Sequence, residues 1–257
     1  MAMDRSNERF LTTHTGSLAR PSDLFQMMWA KEQGVPVDRD ALGARVRSAV
    51  VAVVARQREA GIDLVSDGEL SKPSYATYVK ARLSGFGGTA ARIAVRDLMD
   101  FPALAARNAG SGAQRGVPAC NAPVALEDRS GIDADIANMQ AAVAAAGVPA
   151  AEAFLSAASP GVVAFFFANQ YYPSDEAYLE AISEAMRPEY EAITAAGFVL
   201  QLDCPDLAAG RHIQFAGADL VTFRKKVQPS LGQVMGDPFI CRALPIKPFA
   251  GPWIAPR

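Results

Sequence analysis

Twice in this chain a helix-spaced apolar pattern halts at a glycine and passes at once into a short apolar run that ends in carboxylates. In the first copy, Leu42, Val46, Val50, Val53 and Val54 mark one face of a helix over Asp38–Ala60. Gly61 stops it, and Ile62-Asp63-Leu64-Val65 leads to Asp67 and Glu69. In the second, a helix started by Ser174 and acidic residues runs to Ala196 and stops at Gly197. Phe198-Val199-Leu200-Gln201-Leu202 then delivers Asp203 before Pro205 ends the strand. Side chains alternate along a strand, so Leu200 and Leu202 face one way, Gln201 and Asp203 the other. Such a unit is the grammar of an α/β fold whose functional groups sit at the carboxyl ends of parallel strands. For each copy alone, an ordinary strand end with a solvated carboxylate is the plain alternative.

A chain of 257 residues is long enough for one large α/β domain or two small ones. Its formal net charge of −2 gives no reason to expect nucleic acid or an anionic membrane as a partner. No apolar run reaches the roughly 18–20 residues of a membrane span. The polar start, Met1–Arg9, has no apolar core behind it, so a cytoplasmic location is expected. Cys120, Cys204 and Cys241 lie far apart without a CxxC pair. That argues against a disulfide framework, and a cysteine-rich zinc site cannot be written from them alone.

Arg9–Thr13 reads as a short strand followed by His14-Thr15-Gly16-Ser17. Gly16 permits close backbone approach to a ligand, and Ser17 offers a hydroxyl and an N–H to an anion such as a carboxylate. A plain turn with an exposed serine accounts for the same residues. His14 is a base, a ligand or merely a polar loop residue. Lys72–Gly88 is polar and aromatic, with Tyr75, Tyr78, Lys80, Arg82 and Phe86, and either lines a pocket or covers one. Strands are predicted at Ala91–Val95, Val117–Val124 and Val162–Phe167, and helices at Ile132–Ala146, Ala150–Ala158 and Asp219–Val227. Gly110, Gly112 and Gly116 lie in a flexible stretch without the spacing of a phosphate loop. From Gln228 to Arg257 prolines crowd the chain and no period survives.

Taken in order, Thr12-Thr13-His14-Thr15-Gly16-Ser17, Asp63 through Glu69, and Gln201-Leu202-Asp203-Cys204-Pro205-Asp206-Leu207 resemble the C-terminal catalytic domain of cobalamin-independent methionine synthase. That family belongs to the (β/α)8 barrel group that also holds uroporphyrinogen decarboxylase and the thiol methyltransferases. Asn169-Gln170-Tyr171-Tyr172-Pro173 and Arg211-His212 point to its smaller, stand-alone relatives. The resemblance implies a TIM barrel over residues 1–227, incomplete at the C-terminus, with 228–257 a Pro-rich tail outside the family pattern. It implies that Gly16 and Ser17 hold the carboxylate of homocysteine while Glu69 and Asp203 hold its amino group. It also implies zinc, which keeps the thiol as a thiolate, and a methylated folate as methyl donor. The expected partners are thus a small-molecule thiol and a methyl donor. The oligomeric state is not implied.

The chain departs from the family in two ways. Cys204 stands where the synthase usually has a glutamate. The family's zinc ligands (a His-x-Cys pair, a Glu and a late Cys) are not found, because no histidine follows His212 and Cys241 lies in the Pro-rich tail. If a metal site has been rebuilt, His14 and His212 with Cys204 or Asp206 are its obvious ligands. The sequence offers about five or six strand candidates where a closed barrel needs eight, and the tail is expected not to supply the rest. Transfer to another small thiol, a decarboxylase-like activity and a non-catalytic amino-acid-binding remnant are the competing functions.

Overall fold

The computed structural model describes residues 9–90, 96–109, 117–215 and 217–225. Along them run α1 (Ser22–Glu32), α2 (Arg39–Glu59), β1 (Val65–Ser66), α3 (Tyr75–Lys80), β2 (Gly88–Ala90), α4 (Arg96–Asp100), α5 (Pro102–Ala109), β3 (Val117–Cys120) and α6 (Ser130–Ala145). There follow β4 (Ala153–Ala158), α7 (Pro160–Phe166), β5 (Ala168–Asn169), α8 (Asp175–Ala195), β6 (Val199–Asp203) and α9 (Asp206–Ala209). A last helical segment begins at Leu220. The strand predicted at Ala91–Val95, most of the glycine-rich stretch, Cys241 and the tail from Gln228 lie outside the described residues.

In the first sheet β1, β4 and β6 lie side by side in parallel, and Thr13 extends it by a parallel bridge to Leu64. In the second, β3 pairs antiparallel with β2 and parallel with β5. Helices alternate with parallel strands as the sequence predicts. Among the described residues, the barrel-like sheet amounts to three strands and the Thr13 bridge. The strand predicted over Arg9–Thr13 shrinks to that bridge, where Arg9 and the Thr12 N–H both donate to the Asp63 carboxylate.

The helix–glycine–strand pattern has one physical cause, repeated. The N–H groups of Gly61, Gly147 and Gly197 bond the carbonyls of Arg58, Ala144 and Thr194. Those of the next residues, Ile62, Val148 and Phe198, bond Gln57, Val143 and Ile193. This Schellman closure needs a left-handed residue, and the glycines have φ of +77°, +63° and +85°. It ends α2, α6 and α8 and launches β1, β4 and β6. The Gln57 side chain then serves β1 as a strand would, donating to the Ser66 carbonyl at 2.7 Å and accepting from its N–H at 3.0 Å.

The structure reverses one pair of expectations. Ala150–Ala158, predicted helical, is a single 3₁₀ turn over Ala150–Glu152 followed by β4, and Val162–Phe167, predicted as a strand, lies mostly in α7. All of β4 is buried between β1 and β6, a setting where tertiary packing overrides the helix preference of its alanines. Ahead of α7 stands Ser159-Pro160. Ser159 Oγ accepts from the Val162 N–H at 3.1 Å, and the proline fills a first-turn position that needs no N–H.

Leu155, in the middle of β4, and Val50, Val54, Ile132, Met139, Ile182 and Ile193 from the helices make a common core. Each such side chain contributes about 1.5–3 kcal/mol by leaving water. The same burial carries α8 through Pro188: Tyr178, Ile182, Met186, Tyr190 and Ile193 form one buried stripe along it. An interior proline costs a helix about 3 kcal/mol, which that stripe offsets. No helix among the described residues is long and apolar enough to cross a membrane.

Candidate functional site

Strand register decides which carboxylates meet. Ser66 and Val199 both lie level with Phe154 of β4. From there β6 runs on to Asp203, level with Ala158, whereas β1 stops at Ser66. Asp67, the next residue, therefore stays low and is only 2% exposed. Two residues on, Glu69 is also buried, at 8% exposed, but its carboxylate meets the exposed Ser17.

Glu69 has φ +55° and is the only non-glycine with positive φ among the described residues. A side chain held there has a local cost that the surroundings must cover. Asp67 Oδ1 accepts its N–H at 2.9 Å, and Arg20 Nη2 donates to its carbonyl at 2.6 Å. Arg20 also donates to the carbonyls of Leu70 and Lys72, while the Leu18 N–H bonds the Gly68 carbonyl at 2.9 Å. The loop after Thr13 thus grips the loop after β1. The Glu69 carboxylate receives Ser17 Oγ at 2.6 Å on one oxygen and Tyr75 Oη at 3.2 Å on the other.

Asp203 lies half-buried at the end of β6. Burial first, and the nearby Glu69 charge second, push its carboxyl above the ordinary aspartate range. Burial and both carboxylates push the Tyr75 phenol up, so it remains a donor at neutral pH. Gly16 has φ +82° and nothing within 4 Å of where a Cβ would stand, so backbone bend rather than close approach calls for glycine there. The structure brings Ser17, Glu69 and Asp203 into one neighbourhood. It ties the Ser17 hydroxyl to Glu69, where the resemblance implies that it holds a carboxylate.

The other candidates are placed elsewhere. Asp206 is 3% exposed, accepts from Ser159 Oγ at 3.0 Å and lies against Gly161 at the start of α7. Burial pushes both its carboxyl and the Cys204 thiol up, which disfavours a thiolate at Cys204. His212 is exposed after α9, and His14 is half-buried with Nε2 shielded and unpartnered among the described residues. No three His, Cys, Asp or Glu side chains among those residues come together in a way that could hold a metal ion. Arg20 and Lys72 have roles that sequence patterning does not reveal. Ser74 caps α3, which carries Tyr75, by accepting from the Thr77 N–H at 3.1 Å.

No protein-family model matches the chain, and no curated protein matches it. Solved structures do. A B12-independent methionine synthase from Shewanella sp. W3-18-1, in complex with selenomethionine, superposes with a TM-score of 0.55 at 21% identity, covering 76% of this chain and 52% of that one. A putative vitamin-B12 independent methionine synthase from Listeria monocytogenes gives 0.60 at 17%, covering 89% and 62%. The likeness is one of fold. The chain spans between half and two thirds of the length of these synthase chains.

Proposed function

We propose that this chain is a methyltransferase-type protein whose strand-end site holds a thiol amino acid such as homocysteine for methylation by a methylated folate-type donor. The observation that carries the reading is that Glu69, just past β1, and Asp203, at the end of β6, lie near enough across β4 for their charges to act on each other and on Tyr75. Two carboxylates whose charges repel are relieved by a cation between them, and an ammonium group supplies both charge and donors. Ser17 and Tyr75 orient one of the two acids for that contact. The likeness in fold to B12-independent methionine synthases supports the same class of reaction.

In that reaction the sulfur of the acceptor attacks the methyl carbon, a C–S bond forms, and the donor nitrogen keeps the electron pair of the broken N–C bond. The thiol gives its proton to solvent, and the donor nitrogen takes one up from solvent to leave as N–H. Zinc, implied by the resemblance as the ligand of the sulfur, finds no cluster to hold it among the described residues. The part assigned to those residues is therefore binding and orientation of the amino acid. Calorimetry with homocysteine tests the reading. Binding that Asp203→Ala abolishes supports it, and equal binding by both proteins removes Asp203 from the site. A methyl-transfer assay with metal analysis on the same preparation tests the catalytic half.

A further inference from the structure

Beneath Glu69 lies a buried charge that the site itself does not use. Lys72 is 2% exposed, yet its ammonium group reaches the central strand, donating to the Ser156 carbonyl at 2.8 Å. Nζ stands 4.0 Å from Asp67 Oδ2 and 3.9 Å from Asp135 Oδ2, and 5.3 Å from the centre of the Tyr78 ring. Tyr78 in turn donates to Asp135 at 2.7 Å. Asp67 therefore has one oxygen facing Lys72 and the other accepting the Glu69 N–H. Arg20 donates to the carbonyls of Glu69, Leu70 and Lys72.

We propose that Arg20, Asp67 and Lys72 are positioning residues that hold Glu69 in its left-handed conformation and so keep its carboxylate beside Asp203. A glutamate has no intrinsic preference for that backbone region, so release of its N–H and carbonyl lets the turn relax to an ordinary one. Relaxation changes φ at residue 69, re-aims its Cα–Cβ bond and carries the carboxylate away from Ser17 and Tyr75. Lys72 acts at one remove: its ammonium fixes the Asp67 carboxylate, which would otherwise be an unpaired buried charge. The inference rests on reading Glu69 and Asp203 as an ammonium site, but its geometry can be tested without a ligand.

The variants are Arg20→Gln, Asp67→Ala and Asp67→Asn, the last keeping an oxygen that can accept the Glu69 N–H. Two readouts are taken on protein shown by circular dichroism to be folded: homocysteine affinity by calorimetry, and the titration of Asp203 by carboxyl carbon NMR. Arg20→Gln and Asp67→Ala are expected to weaken binding about tenfold, the worth of one hydrogen bond, and Asp67→Asn to recover most of it. In the first two, the Asp203 midpoint is expected to fall toward the ordinary aspartate value as Glu69 moves away. Arg20 is half-buried, so its variant carries the test should the Asp67 variants not fold. A folded Arg20→Gln protein with wild-type affinity and an unmoved Asp203 midpoint overturns the proposal. If wild type binds no homocysteine, the ammonium reading fails, and the Asp203 midpoint in Arg20→Gln against wild type still decides the positioning claim.

Discussion

Ser17 Oγ donates to Oε2 of Glu69 at 2.6 Å, joining the loop after Thr13 to the loop after β1. The bond joins an exposed serine to a buried glutamate, and its net worth is that of an ordinary hydrogen bond. Ser17→Ala is expected to lower stability by about 0.5–1.5 kcal/mol in urea unfolding and to weaken homocysteine binding. Unchanged stability would mean that water replaces the serine hydroxyl at no cost.

Glu69→Ala and Glu69→Gly both delete the carboxylate, but only alanine keeps the steric cost of φ +55°. The glycine variant is expected to be the more stable of the two by about 1 kcal/mol. Neither should bind the amino acid. Equal melting curves for the pair would mean that residue 69 relaxes once its side chain is gone.

Asp203 gives opposite pH trends for stability and binding. Its carboxyl is pushed above the unfolded value of about 3.9, so the native state holds this proton more tightly than the unfolded chain does. The stability it contributes is present at low pH and lost as pH rises from the unfolded value through the raised native one. Binding of an ammonium needs the carboxylate, so affinity is full above the raised value and declines as pH falls through it. Asp203→Asn should remove both trends, read from urea midpoints and calorimetry across the acid range.

Arg82 Nη1 and Glu189 Oε2 pair at 2.5 Å with both side chains 4% exposed, and the guanidinium lies 3.9 Å over the Tyr78 ring. Removing one partner strands the other in the core. Arg82→Met and Glu189→Leu are each expected to cost about 3–5 kcal/mol, while the double variant loses much less than their sum. A double variant as unstable as the sum would show that the two charges do not depend on each other.

Gly161 sits in the first turn of α7, where alanine normally favours a helix by about 1 kcal/mol. Here a Cβ would fall on Oδ2 of the buried Asp206. Gly161→Ala is therefore expected to destabilise by about 1–3 kcal/mol, the usual cost of overpacking. Adding Asp206→Ala should recover part of the loss, with melting temperature as the measure.

How far the fold can be read from sequence depends on whether a signal is local. Gly61, Gly147 and Gly197 close three helices by bonds among neighbouring residues, so the alternation of helix and strand was legible. β4 was not, because Ala153–Ala158 owes its extended form to β1 and β6, which come from distant parts of the chain. The same division holds at the site. Glu69 and Asp203 stand at recognisable strand ends, but Asp67 and Glu69 look interchangeable in sequence. Only their partners in the folded loop separate them: Asp67 faces the Glu69 N–H and Lys72, whereas Glu69 faces Ser17 and Tyr75. Arg20 showed no pattern, since its partners are backbone carbonyls, which every residue has.

Lys72, Asp67, Asp135, Arg82 and Glu189 share one buried region bridged by Tyr78. A lineage that alters one of them passes through a protein carrying a stranded charge, and selection removes most such intermediates. The group therefore drifts as a block: descendants keep all of it or exchange it by linked changes. Lys72 and Asp135, far apart in sequence, should vary in concert among homologues whose surface residues have long since diverged.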